Sequence, residues 1–379
     1  MHIVSFFYYI LSTMVRFFYL YWNKLRFLLV LFAFQGVAQS NWNVAVQYHH
    51  GAILPHSNNI SHLITDKPTG FLVSFNHRTL GDKEWHHVYR FPDIGFSLHS
   101  QNSHNEVLGD IYGLYAHYNF YFLNRRLQFR IAQGVAYATN PFDKEFNFRN
   151  IAYGSKFMPS TYFMVSYDQP KIWNNLGVNS GLIFMHHSNA TIKSPNTSTN
   201  TVALTFGLTY QLSDEVTENR PSSFTNHPEK MRYNLLLRTG VNESHIIGMG
   251  QKPFYHIAAI AEKPFNQYGA VQLGVELFLS NSLKELIPFL AQSFPETTIN
   301  ADDDWKRVGL FLGYEWYLNR MTVEGNIGFY VHDEYKESGA FYQRLGLRYY
   351  ITPTVFGIMS LKTHFAKAEA FELGLGYKL

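Results

Sequence analysis

The sequence predicts an all-β fold, an antiparallel transmembrane β-barrel of the outer membrane. Three observations carry this: a hydrophobic period of two residues, apolar rows long enough to cross a bilayer, and aromatic residues at the row ends. From residue 41 onward the period is two and not 3.6. Val271, Leu273, Val275, Leu277 and Leu279 alternate with Gln272, Gly274, Glu276 and Ser280, and Phe278 is the one large apolar residue on the polar side. Val308, Leu310, Leu312, Tyr314, Trp316 and Leu318 form a second row, interleaved with Arg307, Gly309, Gly313 and Glu315. Residues 112–122, 202–212, 321–331 and 371–379 repeat the pattern. Such strands suit either a soluble sandwich or a membrane barrel. Rows of about ten residues match a tilted membrane-spanning strand, and Tyr, Trp or Phe at their ends match the lipid–water interface.

Composition agrees. The chain has 379 residues, with Phe 33, Tyr 26 and Gly 26, no cysteine and 16% charged residues. The formal net charge of +3 and the lack of a dense basic cluster give no reason to expect a nucleic-acid partner.

The N-terminus reads as an export signal. Lys24 and Arg26 precede an apolar run over residues 27–34, and Gly36-Val37-Ala38 supplies small residues for cleavage. Residues 1–39 are therefore expected to be a signal peptide cut near Ala38 or Gln39, and residues 40–379 a single barrel. The apolar stretch 4–21 makes this leader long; a start at Met14 and an additional anchor are the alternatives. Leu123-Asn124-Arg125 and Leu318-Asn319-Arg320 are tight connections expected on the periplasmic side. Long outer loops fall near 51–68, 139–159 and 281–304. Connections near 79–91 and 213–230 are longer than periplasmic turns usually are, so the expected count is 12–16 strands. No repeat or dividing linker is evident.

One segment carries chemistry: Phe184-Met185-His186-His187-Ser188-Asn189-Ala190. A neutral imidazole can take the proton from a serine hydroxyl and make it nucleophilic toward an ester. Residues two apart on a strand share a face, so His186 and Ser188 end the outward row of Leu176, Val178, Leu182 and Phe184. Counting strands from the turn at Asn124 puts them at the extracellular end. Asn200 heads the next descending row, opposite the pair, where its amide would orient the histidine ring.

The run His-His-Ser-Asn-Ala, with Lys193-Ser194-Pro195-Asn196 and the strand that follows, resembles the PagL-type lipid A 3-O-deacylases, or acyloxyacyl hydrolases. The likeness is specific over roughly residues 175–212. Phe91-Pro92-Asp93-Ile94-Gly95-Phe96, Leu108-Gly109, Asn150, Gly154-Ser155 and Phe371-Glu372-Leu373-Gly374 look like a longer version found in Bacteroidetes. The resemblance implies an outer-membrane enzyme that hydrolyses an ester-linked acyl chain of lipid A at a serine site on the barrel's outer wall. Ser188 would be the nucleophile and His186 the base, with Asn189 and a backbone amide near Thr191 as oxyanion donors. Lipid A or lipopolysaccharide would be the substrate, outer-membrane lipids the surroundings, and the barrel-assembly machinery a partner in biogenesis; no cofactor or metal is expected. The family's acidic partner, a glutamate twelve residues beyond the serine, is Asn200 here. Asp168, Asp143 and Glu145 lie in or near turns and loops, where the expectation is a solvated carboxylate; replacement of the missing acid by any one of them is the alternative. Short members close with about eight strands, whereas this chain is twice as long.

The competing reading is a non-catalytic barrel, a small channel or a structural or adhesive surface protein. In it His186 and Ser188 are interfacial side chains. Few inward charges are expected, which speaks against a selective pore. His187 points inward, into a hydrated lumen. The pairs His49-His50 and His86-His87 do not form metal sites, because adjacent strand residues face opposite ways.

Overall fold

The computed structural model describes residues 41–55, 58–212, 230–336, 338–365 and 367–379. The expected signal peptide, residues 1–39, lies outside the described residues. Among the described residues sixteen strands form, all antiparallel, but they close as two barrels and not as the single one expected. The first contains β1 (Trp42–Leu54), β2 (Thr69–Arg78), β3 (Asp93–Asn102), β4 (Asp110–Phe122), β5 (Leu127–Ala138), β6 (Phe157–Trp173), β7 (Leu176–His187) and β8 (Thr199–Gln211). The second contains β9 (Arg232–Asn242), β10 (Lys252–Asn266), β11 (Gly269–Ser280), β12 (Lys306–Leu318), β13 (Met321–His332), β14 (Phe341–Tyr350), β15 (Val355–His364) and β16 (Lys367–Lys378).

Closure is direct in both. β8 returns to β1, with register from Asn43↔Gln211 to Leu54↔Asn200. β16 returns to β9 between Leu373↔Thr239 and Lys378↔Asn234. The long connection near 213–230 joins the two barrels; its residues 213–229 lie outside the described residues. Alternation identifies strands and faces, but the same alternation fits one wide barrel or two narrow ones, and so the division was missed.

Both connections, after β4 and after β12, are as tight as expected. Leu123, Asn124 and Arg125 all take left-handed backbone, as does Asn319, which reverses the chain in the fewest residues. The connection at 79–91 holds a short helix, α1 (Glu84–Val88), so His86 and His87 are helical and not on a strand. His49 is buried and His50 exposed, as alternation requires. The outer loop at 281–304 contains a helix that periodicity did not reveal, α2 (Asn281–Ser293). Its Leu286, Ile287 and Leu290 pack with Tyr335 over the outer end of the second barrel. Over the first barrel, Ile60, Leu63, Leu108 and Tyr153 pack with strand-end residues in the same way.

Eight strands enclose just enough room for side chains, and both interiors are filled. In the first barrel the fill is mostly neutral and polar. Arg130 donates to Asn119 Oδ1 at 2.6 Å, Ser74 Oγ at 2.6 Å and Asn76 Oδ1 at 2.9 Å. Higher up, Tyr115, Ser160 and His187 form a chain with links of 2.7 and 2.8 Å. His187 does point inward, but into packed side chains and not a hydrated lumen. At the turn-bearing end a polar cavity of about 370 Å³ opens, with Asp93, Arg130, Asp168 and Lys171 among its walls.

The second barrel overturns the expectation of few inward charges. Arg344 bridges Glu372 and Glu276, each at 2.7 Å. Arg238 bridges Glu276 at 2.9 Å and Glu324 at 2.8 Å, and Arg348 reaches Glu315 at 3.2 Å. All of these side chains are fully buried. The members of each pair sit on different strands, so no local spacing signals them. The carboxylates and guanidinium groups satisfy one another across the lumen, which limits the cost of burying them. A channel needs an open, water-filled path, and these interiors are occupied by side chains.

Outward rows are apolar on both barrels; Leu182, Leu204, Leu273, Leu312 and Ile327 are exposed. The barrels also meet. Near the tight turns, Tyr89 after α1 donates to the carbonyl of Tyr317 at 2.7 Å, and its ring packs edge-on against Tyr268. Above this contact an apolar cleft of about 890 Å³ separates the two walls, lined by Trp42, Ile94, Tyr118, Leu347, Tyr349 and Met359 among others.

Candidate active site

The site occupies the loop 188–198 between β7 and β8, at the end of the first barrel opposite the tight turns. His186 and Asn200 face each other as register partners on the two strands. His186 Nδ1 lies 2.6 Å from Asn200 Oδ1. With the amide oxygen turned to the ring, Nδ1 carries the proton and Nε2 keeps its lone pair.

The chain leaves strand geometry at Ser188, and Ala190 and Thr191 turn it with left-handed backbone. Ser188 Oγ accepts a hydrogen bond from the Ala190 amide at 3.1 Å and lies 3.0 Å from Asn196 Nδ2. Asn196 Oδ1 accepts the Asn189 amide at 3.0 Å. One carboxamide therefore ties the hydroxyl to the next residue's backbone. Asn189 is fully buried, and its Nδ2 donates to the carbonyl of Lys193 at 2.6 Å. One Nδ2 hydrogen thus closes the loop, leaving the other as the donor this side chain can still offer. Thr191 donates its hydroxyl to the Glu369 carbonyl and accepts from the Glu243 amide through its own carbonyl, at 2.9 Å, which makes it a docking residue.

The outer loop 139–156 supports this turn. Its Ile151 and Ala152 carbonyls accept the amides of Thr197 at 3.1 Å and Ser198 at 3.2 Å. Tyr153 is buried and bonds the hydroxyl of Thr199. Asn150 shapes that support: its Oδ1 accepts from Ala152 N at 3.0 Å, while its Nδ2 donates to the Asn140 carbonyl at 2.7 Å. Gly154 passes so close to the site loop that a Cβ would lie 2.4 Å from the Lys193 carbonyl oxygen. A side chain there would push the two loops apart.

The acids considered as substitutes for the missing glutamate sit elsewhere. Asp168 pairs with Asn179 far down the first barrel and borders the polar cavity near the tight turns. Asp143 accepts from the amides of Phe146 and Glu145 in its own exposed loop, and these bonds hold its carboxyl below the ordinary range. Glu145 is exposed in the same loop. Among the described residues, no group of three or more His, Cys, Asp or Glu side chains converges as a metal site.

Two family models match the chain. One, described as Lipid A 3-O-deacylase (PagL), matches residues 69–209; the other, described as Acyloxyacyl hydrolase, C-terminal domain, matches residues 231–379. The chain belongs to the PagL family. The boundary between the two matches falls between the two barrels, so the PagL model covers most of the first barrel and the C-terminal model the second. No curated protein matches this PagL-family chain. Among solved structures, a triple mutant of Rhodopseudomonas blastica porin is 11% identical, with 89% of this chain and 99% of that one covered and a TM-score of 0.20. Acinetobacter baumannii OccAB3 is 10% identical, with 90% and 99% covered and a TM-score of 0.21. At such scores neither bears on the arrangement of this PagL-family protein, an outer-membrane β-barrel.

Sequence reasoning missed the parts of the site that act through the backbone. Asn196 lay within the recognised motif, yet nothing in its spacing assigned it to both Ser188 and Asn189. Tyr153 and Glu243 come from distant loops, and their contribution depends on tertiary contact alone.

Proposed function

We propose that the first barrel is the catalytic unit of a lipid A ester hydrolase that removes an ester-linked acyl chain, as the PagL family name implies. The observation that carries this reading is the 2.6 Å contact between His186 Nδ1 and Asn200 Oδ1, two residues along the chain from Ser188, whose Oγ accepts from the Ala190 amide and bonds the Asn196 carboxamide. Nε2 of His186 takes the Ser188 proton as Oγ attacks the ester carbonyl. The tetrahedral oxyanion is met by Asn189 and a backbone amide near Thr191. Collapse breaks the bond to the sugar oxygen, which receives the proton from His186, and water then releases the fatty acid from Ser188 by the same sequence. His186 ends an outward apolar row, so the substrate approaches sideways from the outer leaflet and no pore is required. In this reading residues 1–39 are the export signal, cut near Ala38 or Gln39, and the barrel-assembly machinery inserts the protein.

The test is a mass spectrum of lipid A after incubation with purified, detergent-folded protein, beside Ser188→Ala. Loss of one acyl chain, seen with the unaltered protein alone, is the expected result. An unchanged lipid A with both proteins, each folded, overturns the reading.

Asn200 sets the rate in this scheme. An amide orients the ring but does not neutralise the imidazolium that forms during attack. Asn200→Asp is expected to raise kcat by roughly tenfold or more, within the about 10⁴-fold that the aspartate is worth in serine proteases. A fall in kcat on this substitution, with the barrel intact, would show that the amide is preferred.

A further inference from the structure

The second barrel has no part in the chemistry just described, yet it reaches into the loop that carries Ser188. Its outer loop 243–251 supplies Glu243, whose Oε2 accepts the amide of Ser194 at 2.9 Å. The other oxygen, Oε1, accepts from Gly250 at 3.1 Å and Gly248 at 3.3 Å, which fixes the carboxylate within its own loop. Glu243 is buried. Around it run further bonds between the barrels: Ser194 Oγ to the Ser244 carbonyl at 2.5 Å, Gln251 Nε2 to the Ile192 carbonyl at 2.8 Å, and the Glu243 amide to the Thr191 carbonyl at 2.9 Å. Thr191 is tied again, through its hydroxyl, to Glu369 at the start of β16.

These contacts cover residues 191, 192 and 194, between the two residues that hold Ser188 Oγ, Ala190 and Asn196. Displacement of that segment moves the Asn196 carboxamide and the Thr191 amide relative to the nucleophile. A buried carboxylate accepting backbone amides is also a strong local tie, because bonds to a charged acceptor exceed neutral ones.

We infer that the second barrel is a brace for the catalytic loop of the first, and that Glu243 is its positioning residue. It holds residues 191–194 so that Ser188 and the oxyanion donors keep their geometry. The inference rests on the serine-hydrolase reading above. Binding of lipid A to the outer wall does not pass through this contact, so Glu243 governs kcat and not KM.

The experiment compares full-length wild type with Glu243→Ala and Gln251→Ala in detergent micelles, reading lipid A deacylation and hydrogen exchange over residues 189–198. The expected result for Glu243→Ala is faster exchange in that segment and a kcat lower by about tenfold, with KM within twofold. Glu243→Gln, which keeps one acceptor oxygen, recovers part of the loss. Gln251→Ala removes one exposed bond; its smaller shift in the same direction carries the test if Glu243→Ala does not fold. Unchanged exchange overturns the brace, and so does faster exchange with an unchanged kcat. Should the wild type release no acyl chain, the hydrolase reading fails by itself, and exchange alone then decides whether the second barrel orders the loop.

Discussion

Alanine at His186 is expected to lower lipid A deacylation on the order of 10⁴- to 10⁶-fold, and adding Ser188→Ala to lower it no further. The serine is inert without a group to take its proton, so the two side chains act as a unit whose losses do not add. His186 is half-buried on the outward row of β7 and bonded to Asn200. Its loss therefore removes the strand-end bond to Asn200 and leaves the interior fill of the barrel untouched. Initial rates of fatty-acid release from the two single variants and the double variant decide the matter, with retention of the folded form on an unheated gel as the control. A double variant much slower than either single one would mean that the two residues contribute independently, which a shared proton transfer does not allow.

Removal of Arg344 is expected to destabilise the second barrel about as much as a large cavity at a single apolar site. Arg344→Met leaves Glu276 and Glu372 short of a partner in a lumen from which solvent is excluded. Breaking one side of a buried ion pair costs about 3–5 kcal/mol. Arg238 bonds Glu276 and lies near Glu372, so it offsets part of the loss. Urea unfolding of the refolded protein in lipid vesicles measures the change. Stability within about 1 kcal/mol of the unaltered protein would show that the ladder does not hold the barrel together. A paired variant, Arg344→Met with Glu372→Gln, should lose less than the single one, because the orphaned charge is the costly element.

Much of the fold was legible because alternation is a local property. Val271 to Ser280 displays its two faces within ten residues, and Asn124 and Asn319 mark turns without help from the rest of the chain. His186 and Asn200 were found the same way, since register across one hairpin follows from counting. Closure is not local. Whether β8 turns back to β1 depends on strands more than a hundred residues apart, and the clue was confined to one overlong connection after residue 212. The ion ladder was hidden for the same reason: Glu276, Glu324, Arg344 and Glu372 each look like an ordinary polar residue on a strand, and only the closed cylinder makes them neighbours. In the site, Asn196 and Glu243 act on backbone amides, and such amides carry no residue-type signature in a sequence.

Two seams in place of one also limit how far a pairing mistake can spread. A slip of one residue inverts every side chain on a strand. In a single sixteen-stranded wall, an inversion at one seam would have to be carried round the whole circumference or absorbed as a bulge. Here a fault where β16 meets β9 would turn the charged ladder outward in the second barrel alone, and the hairpin of β7 and β8 would still bring His186 opposite Asn200. The hairpin that carries His186 and Asn200 is therefore insulated from errors in the more heavily charged half, whose inverted form lipid would reject most strongly.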